Sequence, residues 1–114
     1  MQLSIVSDNG GVTRVQATGQ ITTQDTLAGK LEPMSQLLGE AVYSRRVALN
    51  LAEATFIDSS GLGWLLLCNK RFREAAGKLV LHSVPPAILD VIKVMRLDEV
   101  LKIAEDEAAA LGMM

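Results

Sequence analysis

Two hydroxyls, a carboxylate and two glycines lie together in the segment Asp58-Ser59-Ser60-Gly61-Leu62-Gly63. Such residues can supply a serine nucleophile, a glycine-rich phosphate loop, or a serine that another enzyme phosphorylates. An apolar run ends at Ile57, and leucines follow Gly63 at helical spacing. The pattern predicts the end of a strand, a tight turn and a helix N-terminus, which directs backbone N–H groups toward whatever lies above it.

The residues present argue against two of these chemistries, the serine nucleophile and the glycine-rich phosphate loop. A hydrolase nucleophile elbow needs Gly-x-Ser-x-Gly, but Ile57 stands in the place of the first glycine before Ser59. His82 is the only histidine that could act as a base, and we expect it to be packed or solvated. A dinucleotide fingerprint would need a third glycine or alanine where Leu66 stands.

The remaining sites for bound groups are also missing from the sequence. No Gly-Lys-Ser/Thr phosphate loop occurs, and no cluster of His, Cys, Asp and Glu has metal-ligand spacing. The single cysteine, Cys68, lies among leucines and is expected to pack. We therefore predict that the chain is not an enzyme and needs neither cofactor nor metal. A small serine hydrolase stays as the alternative from another class, and it predicts that an activated-serine probe labels Ser59.

Composition limits the partners. Of the 114 residues, 49% are hydrophobic and 21% are charged, so one domain over residues 1–114 can bury a core without disulfides. The formal net charge of −2 gives no long-range attraction to nucleic acid or to anionic membranes. No apolar run approaches the roughly 20 residues of a membrane span, and no signal peptide opens the chain, so we expect a cytoplasmic protein.

The elements that position the turn can be read in chain order. Residues 3–6 and 12–17 are short β-type runs joined through Asn9-Gly10, which predicts a β-hairpin. Leucines from Leu27 to Leu38 have helical spacing, but Pro33 would interrupt that helix, so we predict a loop and then a helix over 33–39. The run 47–51 is uncharged and predicts the central strand.

Strands and helices then alternate. We predict a helix over 61–76 closed by Gly77 as its C-cap, a strand over 78–82, a helix from Pro86 to Met95, a short edge strand over 100–103 and a helix over 105–111. Alternation of this kind requires parallel pairing. The predicted fold is α/β: an N-terminal β-hairpin leads into a mostly parallel sheet of four or five strands packed by three or four helices.

Within the turn, Asp58, Ser59 and Ser60 are all good N-cap residues, and a cap needs only one side chain. A remaining hydroxyl would lie at an exposed helix N-terminus. A phosphate there would meet favourable backbone donors and also the like charge of Asp58. Gly61 and Gly63 are expected to let the turn close and a partner approach.

The turn resembles the signature of STAS domains, the sulphate transporter and anti-sigma factor antagonist family. The hexapeptide 58–63, preceded by Phe56-Ile57, is the specific part of the likeness. Supporting segments are the opening hairpin, the strand over 47–51, the loop 19–21, the strand over 77–81 and the helix over 86–97. Without a membrane-spanning stretch, the chain resembles the antagonist branch rather than a transporter tail.

The resemblance implies partner switching. The unmodified protein would bind an anti-sigma factor that is also a serine kinase, which would phosphorylate Ser59 from ATP, and a metal-dependent serine phosphatase would reverse the change. An alternative within the family is an adaptor or scaffold that works without phosphorylation, for example in a membrane-transport or stress-signalling complex. The resemblance leaves the oligomeric state open.

One position departs from the family pattern. Many relatives carry an acidic residue near the phosphoacceptor where this chain has Thr22. A site that lacks this carboxylate either binds its kinase differently or is not phosphorylated at all. Thr22 or Thr23 is either a second acceptor or an ordinary loop hydroxyl.

The helix after the turn is apolar on more than one side. Leu62 and Leu66 lie outside its main apolar face, beside Lys70 and Arg73. One interpretation buries both leucines between the sheet and a neighbouring helix. The other makes the four residues a docking patch for the partner.

Overall fold

A single five-stranded sheet runs through the computed structural model, which describes residues 2–9, 11–22 and 33–114. From one edge to the other, the strands are β1 (Gln2–Asn9), β2 (Val12–Ile21), β3 (Arg46–Ile57), β4 (Lys78–His82) and β5 (Lys102–Ala104). β1 and β2 pair antiparallel, and every other neighbouring pair is parallel. The predicted α/β fold with an opening hairpin is confirmed, and β3 is the central strand.

Helices connect and cover these strands. They are α1 (Pro33–Leu38), α2 (Ser59–Glu74), α3 (Pro86–Val94) and α4 (Glu107–Gly112). α1 and α3 begin at a proline, which tolerates the first helical position because no intrahelical bond needs its missing N–H. The loop predicted ahead of Pro33 falls in residues 23–32, outside the described residues. No helix in the described part of the chain is both long enough and apolar enough to span a bilayer.

Several boundaries differ from the prediction. β3 is one strand of 12 residues, whereas the sequence suggested a strand over 47–51 and a separate approach to the turn. A short 3-10 helix, Glu40–Ser44, follows α1 and was not predicted. A second one, Leu97–Glu99, follows α3. Pairing with β2 explains the length of β3, because the parallel register between them continues as far as Ile57.

The prediction that Gly77 caps α2 was wrong by one residue. Ala76, with φ of 62°, takes the left-handed conformation, and the Gly77 N–H donates to the Phe72 carbonyl at 2.8 Å. The two bonds that end the helix, this one and Ala76 N–H to the Arg73 carbonyl, form a Schellman motif. Gly77 is needed for space instead, since a Cβ there would overlap the Tyr43 carbonyl oxygen.

The main core lies between one face of the sheet and the helices α1, α2 and α3. α4 covers part of the opposite face, where Ala110 packs with Val80 and Ala104. Residues of β4 alternate between the two faces, so Leu79 and Leu81 point into the main core while Val80 and His82 point toward α4. The largest wholly buried side chains of the main core are Trp64, Phe72, Ile21, Met34, Leu49, Leu51, Leu65, Leu81 and Ile92.

Candidate functional site

The turn between β3 and α2 lies at the carboxyl end of the central strand. Asp58 is extended, with φ of −114°, and is the N-cap of α2. Its Oδ1 accepts a hydrogen bond from the Gly61 N–H at 2.9 Å and another from the Ser60 hydroxyl at 2.6 Å. The Leu62 N–H donates to the Asp58 carbonyl at 2.9 Å, which closes the first helical turn. Asp58 is therefore the capping residue among the three candidates.

These bonds hold Asp58 in its charged form. The Ser60 hydroxyl is the main reason that the pKa of Asp58 lies below the ordinary value of 3.8, and the Gly61 N–H adds to the effect. Both groups donate to the carboxylate, and they bond more weakly to its protonated form. A fixed negative charge therefore stands next to Ser59 at neutral pH.

Ser59 is the first residue of α2, and its side chain is exposed. Its hydroxyl has no hydrogen-bond partner within residues 2–9, 11–22 and 33–114, whereas the Ser60 hydroxyl is bonded to the cap. The sequence left open which hydroxyl would remain at the surface. Ser59 is the serine whose hydroxyl an incoming enzyme could reach without breaking the cap.

The two glycines of the turn differ in their surroundings. Gly61 is buried, and a Cβ on it would overlap the Ile21 carbonyl oxygen and lie 2.9 Å from Ile57 Cγ1. Gly63 is exposed, and nothing lies within 4 Å of a Cβ built there. Gly61 thus allows α2 to pack against the end of β2, and only Gly63 retains the predicted role of leaving room for a partner.

Residues at the end of β2 lie beside the turn. Ile21 is in register with Ile57, so Thr22 and Asp58 leave neighbouring strands at the same edge of the sheet. Thr22 is half-buried, and its N–H donates to the Gln20 carbonyl at 3.1 Å. Thr23 falls outside the described residues.

The predicted docking patch is divided by the fold. Leu62 is 8% exposed and belongs to the main core, so it presents little surface to a partner. Leu66 is partly buried against that core, while Lys70 and Arg73 are exposed. The first interpretation, burial between the sheet and a neighbouring helix, is therefore correct for Leu62. The docking interpretation can apply only to Leu66, Lys70 and Arg73.

Phe56, which the sequence shows only as part of the apolar run, is an exposed aromatic residue near the turn. It is 50% exposed, two residues before Asp58, whereas its neighbour Ile57 is buried. Strand alternation would not have found it, because the register between β2 and β3 shifts near the end of β3, where Thr55 and Phe56 are both exposed. Phe56 gives the turn an apolar neighbour that is free for contact.

His82 is buried, with 1% exposure, at the end of β4. Its Nδ1 lies 2.9 Å from the Ser83 hydroxyl. Burial lowers the pKa of His82 below its ordinary 6.5, and Glu107 and Asp106 only partly oppose this. The hydrogen bond of His82 is thus to its own neighbour rather than to Ser59, and of the two expected environments, packed or solvated, the ring has the packed one.

Comparisons of this chain with known proteins agree on one family. Residues 7–110 match the model of the STAS domain. A relative from Bordetella bronchiseptica, named "Putative anti-sigma factor antagonist BtrV", is 33% identical over 66 residues, which span 58% of this chain and 57% of BtrV.

Solved structures of similar shape cover nearly the whole chain. One from Thermotoga maritima, TM1081, has a TM-score of 0.77 at 20% identity and covers 98% of this chain and 92% of its own. SpoIIAA from Bacillus in its phosphorylated form has a TM-score of 0.63 at 19% identity, covering 99% and 98%. At these identities the likeness shows a shared fold.

Proposed function

The chain belongs to the STAS domain family, and from this premise we propose that it is an anti-sigma factor antagonist switched by phosphorylation of Ser59. In its unmodified form it binds an anti-sigma factor that is also a serine kinase, and the bound sigma factor is released. The kinase then transfers the γ-phosphoryl group of ATP to Ser59. A metal-dependent serine phosphatase returns the protein to its binding form.

One observation carries this proposal: Ser59 is exposed and unbonded among the described residues, while Asp58 and Ser60 are committed to the cap. The similarity to BtrV and to SpoIIAA, which is known in unphosphorylated and phosphorylated forms, supports it. The protein acts by binding, and the chemistry at Ser59 is performed by its partners.

The charges around Ser59 explain how a phosphate would switch binding. Phosphorylation adds about two negative charges at the first residue of α2, where the helix dipole and backbone N–H groups tolerate them. The fold is therefore preserved. A partner that covers the turn, however, would have to bury this charge beside the ionised Asp58, which makes docking costly.

The contact surface we propose includes the turn and extends along α2. It contains Phe56 on one side and Leu66, Lys70 and Arg73 along α2. An exposed aromatic residue and flexible cations are common features of protein interfaces. Gly63 has open space above it, so the partner can approach the helix backbone there.

Intact-mass measurement with ATP and the cognate kinase tests the acceptor. The wild-type chain and the Ser60→Ala variant should gain one phosphate, and Ser59→Ala should gain none. Ser60→Ala is the matched control because it removes the neighbouring hydroxyl and leaves Ser59 in place. An undiminished gain in Ser59→Ala, or no gain in the wild type, would contradict the assignment.

Calorimetry with the same kinase tests the switch. Ser59→Ala should retain the affinity of the wild type, while Ser59→Asp should bind more weakly because it places a second charge beside Asp58. Equal affinities for the two variants would remove the electrostatic argument.

A second candidate function is that of an adaptor that binds its partner without phosphorylation. Thr22 favours it, since this position leaves β2 beside Asp58 and lacks the carboxylate found in many relatives. This candidate predicts tight partner binding together with no mass gain on any variant.

If Thr22 is a second acceptor, a residual gain should remain in Ser59→Ala and vanish in Ser59→Ala/Thr22→Val.

A further inference from the structure

A groove of about 430 Å³ lies at the outer edge of the sheet, between α3 and β5. Its apolar floor consists of Val84, Leu89 and Ile103. Its charged rim consists of Lys93, Asp98 and Glu105. These six residues define what we call the β5 groove, and none of them belongs to the Ser59 turn.

The floor is open because the helices do not cover it. α3 packs mainly against β3 and the 3-10 helix Leu97–Glu99. Ile103 therefore remains half-buried, although its register partner Leu81 on β4 is fully buried. An aliphatic surface is therefore left uncovered, whereas the face of a sheet is normally covered by another layer of secondary structure.

The backbone beside this floor is also available. β5 is the last strand of the sheet and pairs on one side with β4. In the described part of the chain, no hydrogen bond reaches residues 102–104 from the other side. An unpaired strand edge presents N–H and C=O groups that another extended chain can bond.

The rim has an excess of negative charge. Lys93, Asp98 and Glu105 are all exposed, and none has an ion-pair partner among the residues that the structure describes. Two carboxylates against one ammonium group favour a ligand that carries positive charge.

We propose that the β5 groove binds an extended peptide segment of a partner protein, which adds to the sheet as a sixth strand. One aliphatic side chain of the peptide lies on the floor, and a Lys or Arg two residues away on each side faces Asp98 and Glu105. Alternate residues of a strand point to the same face, so this spacing brings all three to the groove. A small molecule fits less well, since the lining is too open to bury most of its surface.

The test uses the full chain and three capped pentapeptides, KTLTK, ETLTE and KTSTK, followed by amide chemical shifts in NMR. KTLTK should shift the amides of residues 102–105 and of α3. It should bind about 5-fold more tightly than ETLTE, as expected for two exposed ion pairs. KTSTK should bind more weakly because its serine leaves the floor uncovered. Absence of shifts at β5 with millimolar KTLTK, or shifts located at the Ser59 turn, would overturn the proposal.

Reversing the charge of the rim is a more discriminating test, because Asp98 and Glu105 are both exposed and the fold does not depend on their side chains. Asp98→Lys/Glu105→Lys should bind ETLTE in preference to KTLTK. An unchanged preference for KTLTK would refute the assigned rim. Ser59→Asp should bind all three peptides as the wild type does, so this result is independent of the phosphorylation switch.

Discussion

Adding one methyl group at Gly61 or at Gly63 should have opposite effects on stability. Both glycines lie in the first turns of α2, and alanine is intrinsically better in a helix by about 0.5–1 kcal/mol. At Gly63 the new methyl group meets open space, so Gly63→Ala should stabilise the protein by that amount. At Gly61 it would overlap the Ile21 carbonyl oxygen, which belongs to the backbone of β2 and cannot rotate away.

The size of the difference follows from these two effects. Overpacking a rigid contact costs about 1–3 kcal/mol, and the clash with backbone places Gly61→Ala toward the upper end of that range. Because the helix preference of alanine acts at both positions, it cancels in the comparison, and the two variants should differ in free energy of unfolding by about 2–3 kcal/mol. Urea denaturation of both proteins, with equal m-values, measures this difference directly.

Two results would refute this reasoning. If Gly61→Ala is as stable as Gly63→Ala, α2 is not held against the end of β2 as the structure shows. If Gly63→Ala is strongly destabilised, the space above that residue is filled. A crystal structure of Gly61→Ala should show α2 moved away from Ile21, which would also displace Ser59 from its place at the sheet edge.

Further predictions concern single contacts. Ala76→Gly should raise the free energy of unfolding by up to about 1 kcal/mol in urea, because Ala76 has a positive φ that glycine adopts without strain; a loss would contradict the Schellman end of α2. Ser60→Ala should bring the pKa of Asp58, followed by carboxyl ¹³C NMR, closer to 3.8, and an unchanged value would mean that the hydroxyl does not hold the charge. Stability should fall as pH drops below 6.5, the ordinary pKa of the ring, toward the lowered pKa of His82, because the unfolded chain then binds a proton that the folded one excludes. His82→Gln should reduce the change of unfolding free energy with pH between pH 7.5 and 5.5. An equal pH dependence in both proteins would mean that another group causes it.

Much of the fold is readable from local patterns. The Asn9-Gly10 pair marks the hairpin, Pro33 and Pro86 mark helix starts, and the uncharged run before Asn50 marks the buried central strand. The Ser59 turn also follows from local signals, since an apolar run, a capping residue and a helical pattern occur there in sequence. These features depend on residues close together in the chain, where backbone preferences decide the outcome.

Other features depend on what lies opposite in space. Three residues at the turn could cap α2, and the hydrogen bonds show that Asp58 does so with Ser60 behind it. Gly61 and Gly77 read as turn glycines, but each is required because a carbonyl from a distant segment lies where its side chain would be.

Local patterns in the sequence thus predict the order of strands and helices, the α/β class and the position of the candidate switch. Contacts between distant segments set which serine remains exposed, make Leu62 core and Phe56 surface, and leave the floor beside β5 open. The physical reason is that burial is a property of pairs of segments. A leucine on either side of a helix has the same local preference until a sheet or another helix covers it.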